Sequence, residues 1–215
     1  MNAAPARFPG LTDFITNAAE LREVIPHPLD VIVAKEIDHL DEICRSFIAS
    51  SPFIVVATAS ASGRIDTSPK GDPAGFVRVL DDKHLAIPER PGNRRADTFC
   101  NVLDNPQVGI IFLIPGKGET LRICGEARIV KDRSLLESMS LKERTPELAL
   151  VVHVERVFMH CPKCVIRSGL WKPAKWPETA GLPSIGEAMV RHARLDMTPE
   201  ELLAQTAREG INALY

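Results

Sequence analysis

The sequence carries almost no net charge: 26 Lys and Arg stand against 28 Asp and Glu in 215 residues. Such a balance leaves no broad basic footprint for a nucleic acid, although a small positive pocket remains compatible with it. Long apolar runs are also missing. The two longest, FIVVAT and VGIIFLI, are strand-sized and far too short to span a bilayer. Cysteines are few and odd in number, at Cys44, Cys100, Cys124, Cys161 and Cys164, which does not suit a secreted disulfide scaffold. The start, MNAAPARFPGLTDF, has neither a signal peptide's charged-then-apolar layout nor a following membrane segment. The expectation is a cytoplasmic protein with no membrane and no nucleic-acid partner. The motifs G-x-G-x-x-G, G-x-x-x-x-G-K-[ST] and G-x-S-x-G are lacking too, so a dinucleotide fold, a P-loop and a hydrolase nucleophile are disfavoured. Internal repeats and low-complexity tracts do not occur.

What is present is an ordinary globular composition, 45% apolar and 25% charged, in a chain long enough to bury a core without metals or disulfides. Residues 1–34 read as an arm with a helical turn or two around Asp13–Val24. From Lys35 to Ser50, Ile37, Leu40, Ile43, Phe47 and Ile48 recur at helical spacing, the mark of an amphipathic helix. Strands are expected near Phe53–Thr58, Gly63–Ser68, Phe76–Leu80, His84–Ile87, Val108–Ile114, Leu121–Val130 and Leu150–Phe158. In one of them Leu121, Ile123, Gly125, Ala127 and Ile129 share a face, while Arg122, Cys124, Glu126 and Arg128 take the other. Strands with one polar side suit an antiparallel barrel better than a parallel sheet. Asn93–Leu103 and Asp132–Glu143 are helical candidates, and the tail offers Gly186–Arg194 and Thr198–Arg208. Thr198 with Glu201 forms a capping box, and Pro199 sits at the first helical position.

Two segments carry chemistry. In GRIDTSPKGDPAGF, residues 63–76, Thr67 and Ser68 supply hydroxyls, Lys70 a mobile positive charge and Gly71 a close backbone approach. A phosphate or a polar ring edge suits such a loop, and so does a plain hairpin turn rich in Pro, Gly and Asp. In AIPERPGNRRADTFCNVLDNP, residues 86–106, Arg90, Arg94 and Arg95 precede a helix. A helix start offers unpaired amide protons to an anion, and an arginine fork binds two phosphate oxygens at once. A charged, solvated turn is the competing reading. Asp97 suits a capping or arginine-orienting role.

These residues resemble the pyridoxamine 5′-phosphate oxidase-like superfamily of flavin-binding split barrels, in a branch of uncharacterised FMN-dependent proteins. The matching text is DTSPKGDPAGF, IPERPGNRRADTFCNVLDNPQVGIIFLIPG, ETLRICGEARI, VVHVERVFMHCPKC and RSGLWKP, covering roughly residues 40 to 175. The resemblance implies a mainly β, α+β chain built on a six-stranded split barrel with helical extensions; with the residue pattern this gives an N-terminal arm at 1–34, the flavin-binding barrel at 35–172 and a C-terminal connection and helical extension at 173–215. It also implies a homodimer with FMN at the subunit interface. Asp66, Thr67 and Ser68 would then line the ring or ribityl region, and Lys70, Arg94 and Arg95 would hold the phosphate. Ile87 and Pro88 would bring backbone close to the ring, and Arg122 would reach a flavin bound mainly by the other subunit. Arg167, Ser168 and Trp171 belong to the late segment that completes the pocket in this family, Trp171 either covering a ring face or anchoring the arm.

The implied activity is an FMN-dependent oxidoreductase that transfers hydride to or from a small organic molecule. The alternatives are a non-catalytic flavin carrier or sensor, pyridoxamine 5′-phosphate oxidation itself, and a deazaflavin or haem enzyme on the same scaffold. Vitamin B6 oxidation is disfavoured at the substrate end. There the family enzyme carries Arg-x-His, whereas this chain reads Arg194–Leu195–Asp196, and a carboxylate opposes a substrate phosphate. In His160–Cys161–Pro162–Lys163–Cys164 the cysteine pair admits a metal, a redox dithiol or local packing, and a structural zinc needs more ligands than this stretch supplies. No metal is therefore expected. The resemblance favours a pocket-lining role, with His160 and Lys163 as acid–base candidates.

Overall fold

The computed structural model describes residues 8–211, so the two ends of the expected extensions, 1–7 and 212–215, lie outside the described residues. Two compact units divide at Glu36 and Ile37. The first contains helices α1 (Ala18–Val24) and α2 (Asp30–Ala34). α1 starts where Asn17 accepts hydrogen bonds from the amides of Ala19 and Glu20, satisfying two otherwise orphaned donors. Neither helix buries a residue.

The second unit opens with α3 (Glu42–Ser50), capped by Asp41, whose carboxylate accepts from the Cys44 amide at 2.8 Å. The helix starts at Glu42 rather than Lys35. Ile37 instead pairs with Val157 as an isolated antiparallel bridge, and the Leu40 amide donates to the Asp82 carbonyl. Leu40 is in the core, whereas Ile43 on α3 is exposed.

Seven strands follow in one antiparallel sheet: β1 (Phe53–Ala59), β2 (Ile65–Gly71), β3 (Arg78–Val79), β4 (His84–Pro88), β5 (Gln107–Leu113), β6 (Thr120–Val130) and β7 (Ala149–His160). Their order across the sheet is β2-β1-β5-β6-β7-β4-β3. The seven correspond to the seven segments read from the residues, against the six that the family resemblance implied; β3 is only two residues long. One sheet face buries Ile54, Val56, Ile110, Phe112, Leu121, Ile123, Leu150 and Val152 almost completely. Each such side chain contributes about 1.5–3 kcal/mol relative to exposure.

Along β6 the alternation read from the sequence holds from Leu121 to Ala127. Its partner β7 breaks step. Cys124 pairs with Arg156 but Gly125 pairs with Val154, so Glu155 is the extra residue of a β-bulge. The buried residues Val154 and Val157 therefore stand three apart, with Glu155 and Arg156 both exposed between them. Gly125 sits under the bulge because a Cβ there would overlap the His153 carbonyl oxygen and stand 3.2 Å from the Glu155 amide nitrogen.

The remaining helices are α4 (Asp97–Asp104), α5 (Arg133–Ser138), α6 (Lys163–Ser168), α7 (Ile185–Ala193) and α8 (Pro199–Arg208). α5 covers a second, smaller cluster of Ala86, Leu136, Met139 and Ala149 on the other face of β4 and β7. Ser184–Glu187 and Thr198–Glu201 form complete capping boxes at α7 and α8. Among the described residues no helix is long and apolar enough to cross a membrane.

Candidate functional site

The site begins on β2, an edge strand where Pro69 costs no ladder hydrogen bond to a further neighbour. Asp66, Ser68 and Lys70 are half-buried, whereas Ile65, Thr67, Pro69 and Gly71 are exposed. Strand alternation thus separates Thr67 from Ser68 and Lys70, which share a face. A second wall comes from the segment after β4. Pro88 ends the strand, and Arg94 and Ala96 take left-handed backbone conformations at φ 59° and 55°. These two residues delay the start of α4 to Asp97 instead of Asn93. A third wall is Arg144–Leu148, reached through a tight turn in which Lys142 and Glu143 are also left-handed.

The three walls enclose a cavity of about 970 Å³. Ser68, Lys70, Pro88 and Arg94 line it together. The Lys70 ammonium lies 3.5 Å from the Glu89 carboxylate, and its side chain is only 18% exposed. Arg94 Nη2 donates to the Glu209 carbonyl at 2.9 Å, which ties the end of α8 to the cavity rim. Arg90 has a different task. Its Nε donates to Asp72 Oδ2 at 2.7 Å and its Nη2 to the Met139 carbonyl at 2.9 Å, with the Asp72 side chain almost fully buried. A part-buried arginine fork engaged in this way braces the loop between the ends of β2 and α5.

Arg95 does not line the cavity. It points to Asp97, Nε to Oδ2 at 2.6 Å, with its side chain 68% exposed. Ile87 is buried in the core, and Asp66 and Thr67 also lie outside the lining. The other expected residues form a separate group around the end of β7. Arg122 stands 5.6 Å from the Phe158 ring centroid, and the His160 ring packs on Phe158 at 4.9 Å. Lys163 and Arg167 lie on α6, Ser168 Oγ donates to the Val165 carbonyl, and Trp171 Nε1 donates to the Lys117 carbonyl at 2.7 Å. That last bond anchors the segment after α6. Within one chain the cavity and this second group are distinct.

Glu89, Asn93, Arg144, Thr145 and Glu147 line the cavity without having been singled out by sequence reasoning. Glu89 carried a signal, since it directly follows the Ile87–Pro88 pair. Arg144–Glu147 carried none. All five cysteines are free, Cys161 and Cys164 being exposed beside the start of α6. Burial first, and then the neighbouring Asp41 carboxylate, push the Cys44 thiol up to about 12. Among the described residues, no three His, Cys, Asp or Glu side chains gather closely enough to hold a metal ion.

Solved structures that the chain resembles include HupZ from Group A Streptococcus, 24% identical, covering 55% of this chain and 92% of that one at a TM-score of 0.45. A pyridoxamine 5′-phosphate oxidase-related, FMN-binding protein from Nostoc punctiforme is 14% identical, covering 55% and 78% at 0.41. General Stress Protein 26 from Bacillus anthracis is 13% identical, covering 54% and 88% at 0.41. No curated protein matches the chain. A family model described as pyridoxamine 5′-phosphate oxidase matches residues 40–161, more than half of the sequence and all seven strands. The chain belongs to the pyridoxamine 5′-phosphate oxidase-like split-barrel superfamily.

Proposed function

We propose that the cavity binds flavin mononucleotide and that the protein is an oxidoreductase exchanging hydride with a small organic substrate. The observation that carries this reading is that Lys70 and Arg94, from separate segments and different walls, line one cavity together with Ser68. Two cations and a hydroxyl fit a dianionic phosphate. A volume of about 970 Å³ is at the upper end of small-molecule sites, so a flavin head and part of its ring fit together.

In this reading Lys70 and Arg94 hold the phosphate, and Ser68 and the Pro88 backbone position the polar edge nearer the ring. Arg94 exchanges its bond to the neutral Glu209 carbonyl for a stronger one to an anion. Arg90, which also lines the cavity, keeps the loop in place through its ion pair with Asp72. When bound, the flavin supplies two-electron hydride chemistry, while the chain supplies pose, electrostatics and exclusion of water.

A homodimer completes the site. Phe53, Ile65 and Ile111 are exposed on β1, β2 and β5, which supports apolar pairing of two sheets. The second subunit then brings Arg122, Arg167, Ser168 and Trp171 to the flavin, with His160 and Lys163 moving a proton on the substrate. The group that stands away from the cavity in one chain is used across the interface.

The test is purification of tag-free protein followed by denaturation and mass analysis of the released chromophore. FMN at close to one per chain, bleached anaerobically by an organic hydride donor and restored by an acceptor, is the expected result. Protein that is colourless and takes up no FMN on incubation overturns the cofactor assignment. Protein that retains FMN but shows no turnover with any donor overturns the oxidoreductase assignment.

A further inference from the structure

We propose that His84 and His153 form a binding site for a divalent first-row transition-metal ion on the outer face of the sheet, separate from the cavity. The two residues are direct cross-strand partners on β4 and β7. They are the next pair on the face that α5 covers at Ala86 and Val151, where the cover has ended. His84 Nε2 and His153 Nδ1 are 3.1 Å apart, with ring centroids at 4.9 Å and planes inclined by 49°.

That nitrogen separation is the one a shared metal requires. Imidazole nitrogens bound at about 2.0–2.1 Å stand about 3.3 Å apart at a tetrahedral angle and about 2.9 Å apart at a right angle. The observed gap falls between the two. A single proton also bridges such a pair, and the metal takes that proton's place.

The surroundings favour a cation with imidazole ligands. Asp81 places both carboxylate oxygens 3.0 Å from His84 Nδ1. The Nδ1–H donated to that carboxylate leaves the lone pair on Nε2, the nitrogen that faces His153. Asp81 is itself fixed by the amides of Lys83 and His84, at 2.7 and 2.8 Å. A carboxylate behind a histidine is the usual outer support of a metal ligand. Across β7 from His84, Glu126 is the cross-strand partner of His153 and adds a further negative charge to the same row. Its contact with Arg128, at 3.5 Å, is loose. Two protein nitrogens with water in the other positions suit nickel, copper or zinc better than magnesium or calcium, which take oxygen ligands.

The test is isothermal titration of tag-free, chelator-stripped protein with Ni²⁺, in the wild type and in a C161S/C164S background. The expected result is one equivalent bound in both, with affinity reduced at least tenfold in H84A and in H153A. Asp81→Asn is expected to weaken binding by about 10–100-fold through its supporting role. The replaced side chains are all on the surface or half-buried, so the variants are expected to fold; a circular dichroism spectrum and a melting curve check this. The melting temperature is expected to rise with Ni²⁺ only when both histidines are present. Undiminished affinity in the H84A/H153A protein overturns the site, as does loss of binding in C161S/C164S.

Discussion

If the cavity holds a phosphate, the three phosphate-binding cations read from the sequence should differ in importance, and the structure ranks them. Lys70 is largely buried, lines the cavity and is paired with Glu89 across a loose 3.5 Å. Its replacement by alanine removes a charge-assisted bond of about 1.5–3 kcal/mol, or roughly 10–150-fold in affinity. Arg94 also lines the cavity but first gives up its bond to the Glu209 carbonyl, a neutral acceptor whose loss offsets about 1 kcal/mol. Arg94→Ala should therefore cost less, about 2–30-fold. Arg95 is outside the lining, exposed and already paired with Asp97. Arg95→Ala should leave FMN affinity close to that of the wild type, because an exposed ion pair is screened by solvent. The assay is quenching of FMN fluorescence on titration into flavin-stripped protein, with urea unfolding of each variant to show equal stability. An Arg95→Ala loss as large as that of Lys70→Ala, or no loss in any variant, refutes the phosphate assignment.

Other parts of the structure give independent expectations. Glu89→Gln removes a carboxylate from beside Lys70 and from the anion's surroundings, so FMN affinity should rise several-fold in the same titration. Gly125→Ala places a methyl against the His153 carbonyl at the bulge, a backbone clash that neither strand relieves by rotating a side chain. It should destabilise by about 3 kcal/mol or more, the upper range of overpacking, seen as a lower urea midpoint. Cys44 has its folded-state pKa raised to about 12 from an ordinary value near 9.0. A raised pKa means that the contribution is fully present below about pH 9 and is lost as pH rises toward 12. Stability should fall across that window, less steeply in Cys44→Ala. In the native protein iodoacetamide at about pH 8, near the ordinary thiol pKa, should label the exposed Cys100, Cys161 and Cys164 and spare Cys44. Asn101→Ala deprives the buried Thr58 hydroxyl of its 3.0 Å donor and should cost about 1–3 kcal/mol in the same unfolding assay.

Much of the architecture was readable because one side of β1, β5 and β6 is wetter than the other. Period-two alternation in β6 marked its buried face residue by residue, and the Thr198–Pro199–Glu201 signal gave the start of α8 to the residue. The misses share a cause: tertiary hydrogen bonds and left-handed residues leave no periodic trace. Ile37 and Leu40 are apolar at helical spacing, yet a bridge to Val157 and a bond to Asp82 hold them outside α3. Arg94, Ala96, Lys142 and Glu143 adopt positive φ although none is glycine or asparagine, so the late start of α4 and the turn into the third cavity wall were not legible. The bulge was half-visible, since Gly125 interrupts an apolar face, but its offset partner Glu155 looks like any polar strand residue.

For the site, spacing identified the two cationic segments but not which side chains face inward. Adjacent arginines diverge here: Arg94 turns to the cavity and Arg95 to Asp97. The left-handed φ of Arg94, unusual for a residue with a side chain, lies at that point of divergence and has no trace in the sequence pattern. Similarly, Thr67 and Ser68 are separated by the pleat of β2. The Arg144–Leu148 wall is contributed by a loop distant in sequence, with no motif to mark it.

The most direct measurement is a paired titration of flavin-stripped protein with FMN and with riboflavin, which differ only in the phosphate. The account predicts that FMN binds at least about 100-fold more tightly, a difference of about 2.7 kcal/mol, and that the gap shrinks sharply in the Lys70→Ala/Arg94→Ala protein. Equal affinity for the two flavins in the wild type contradicts it.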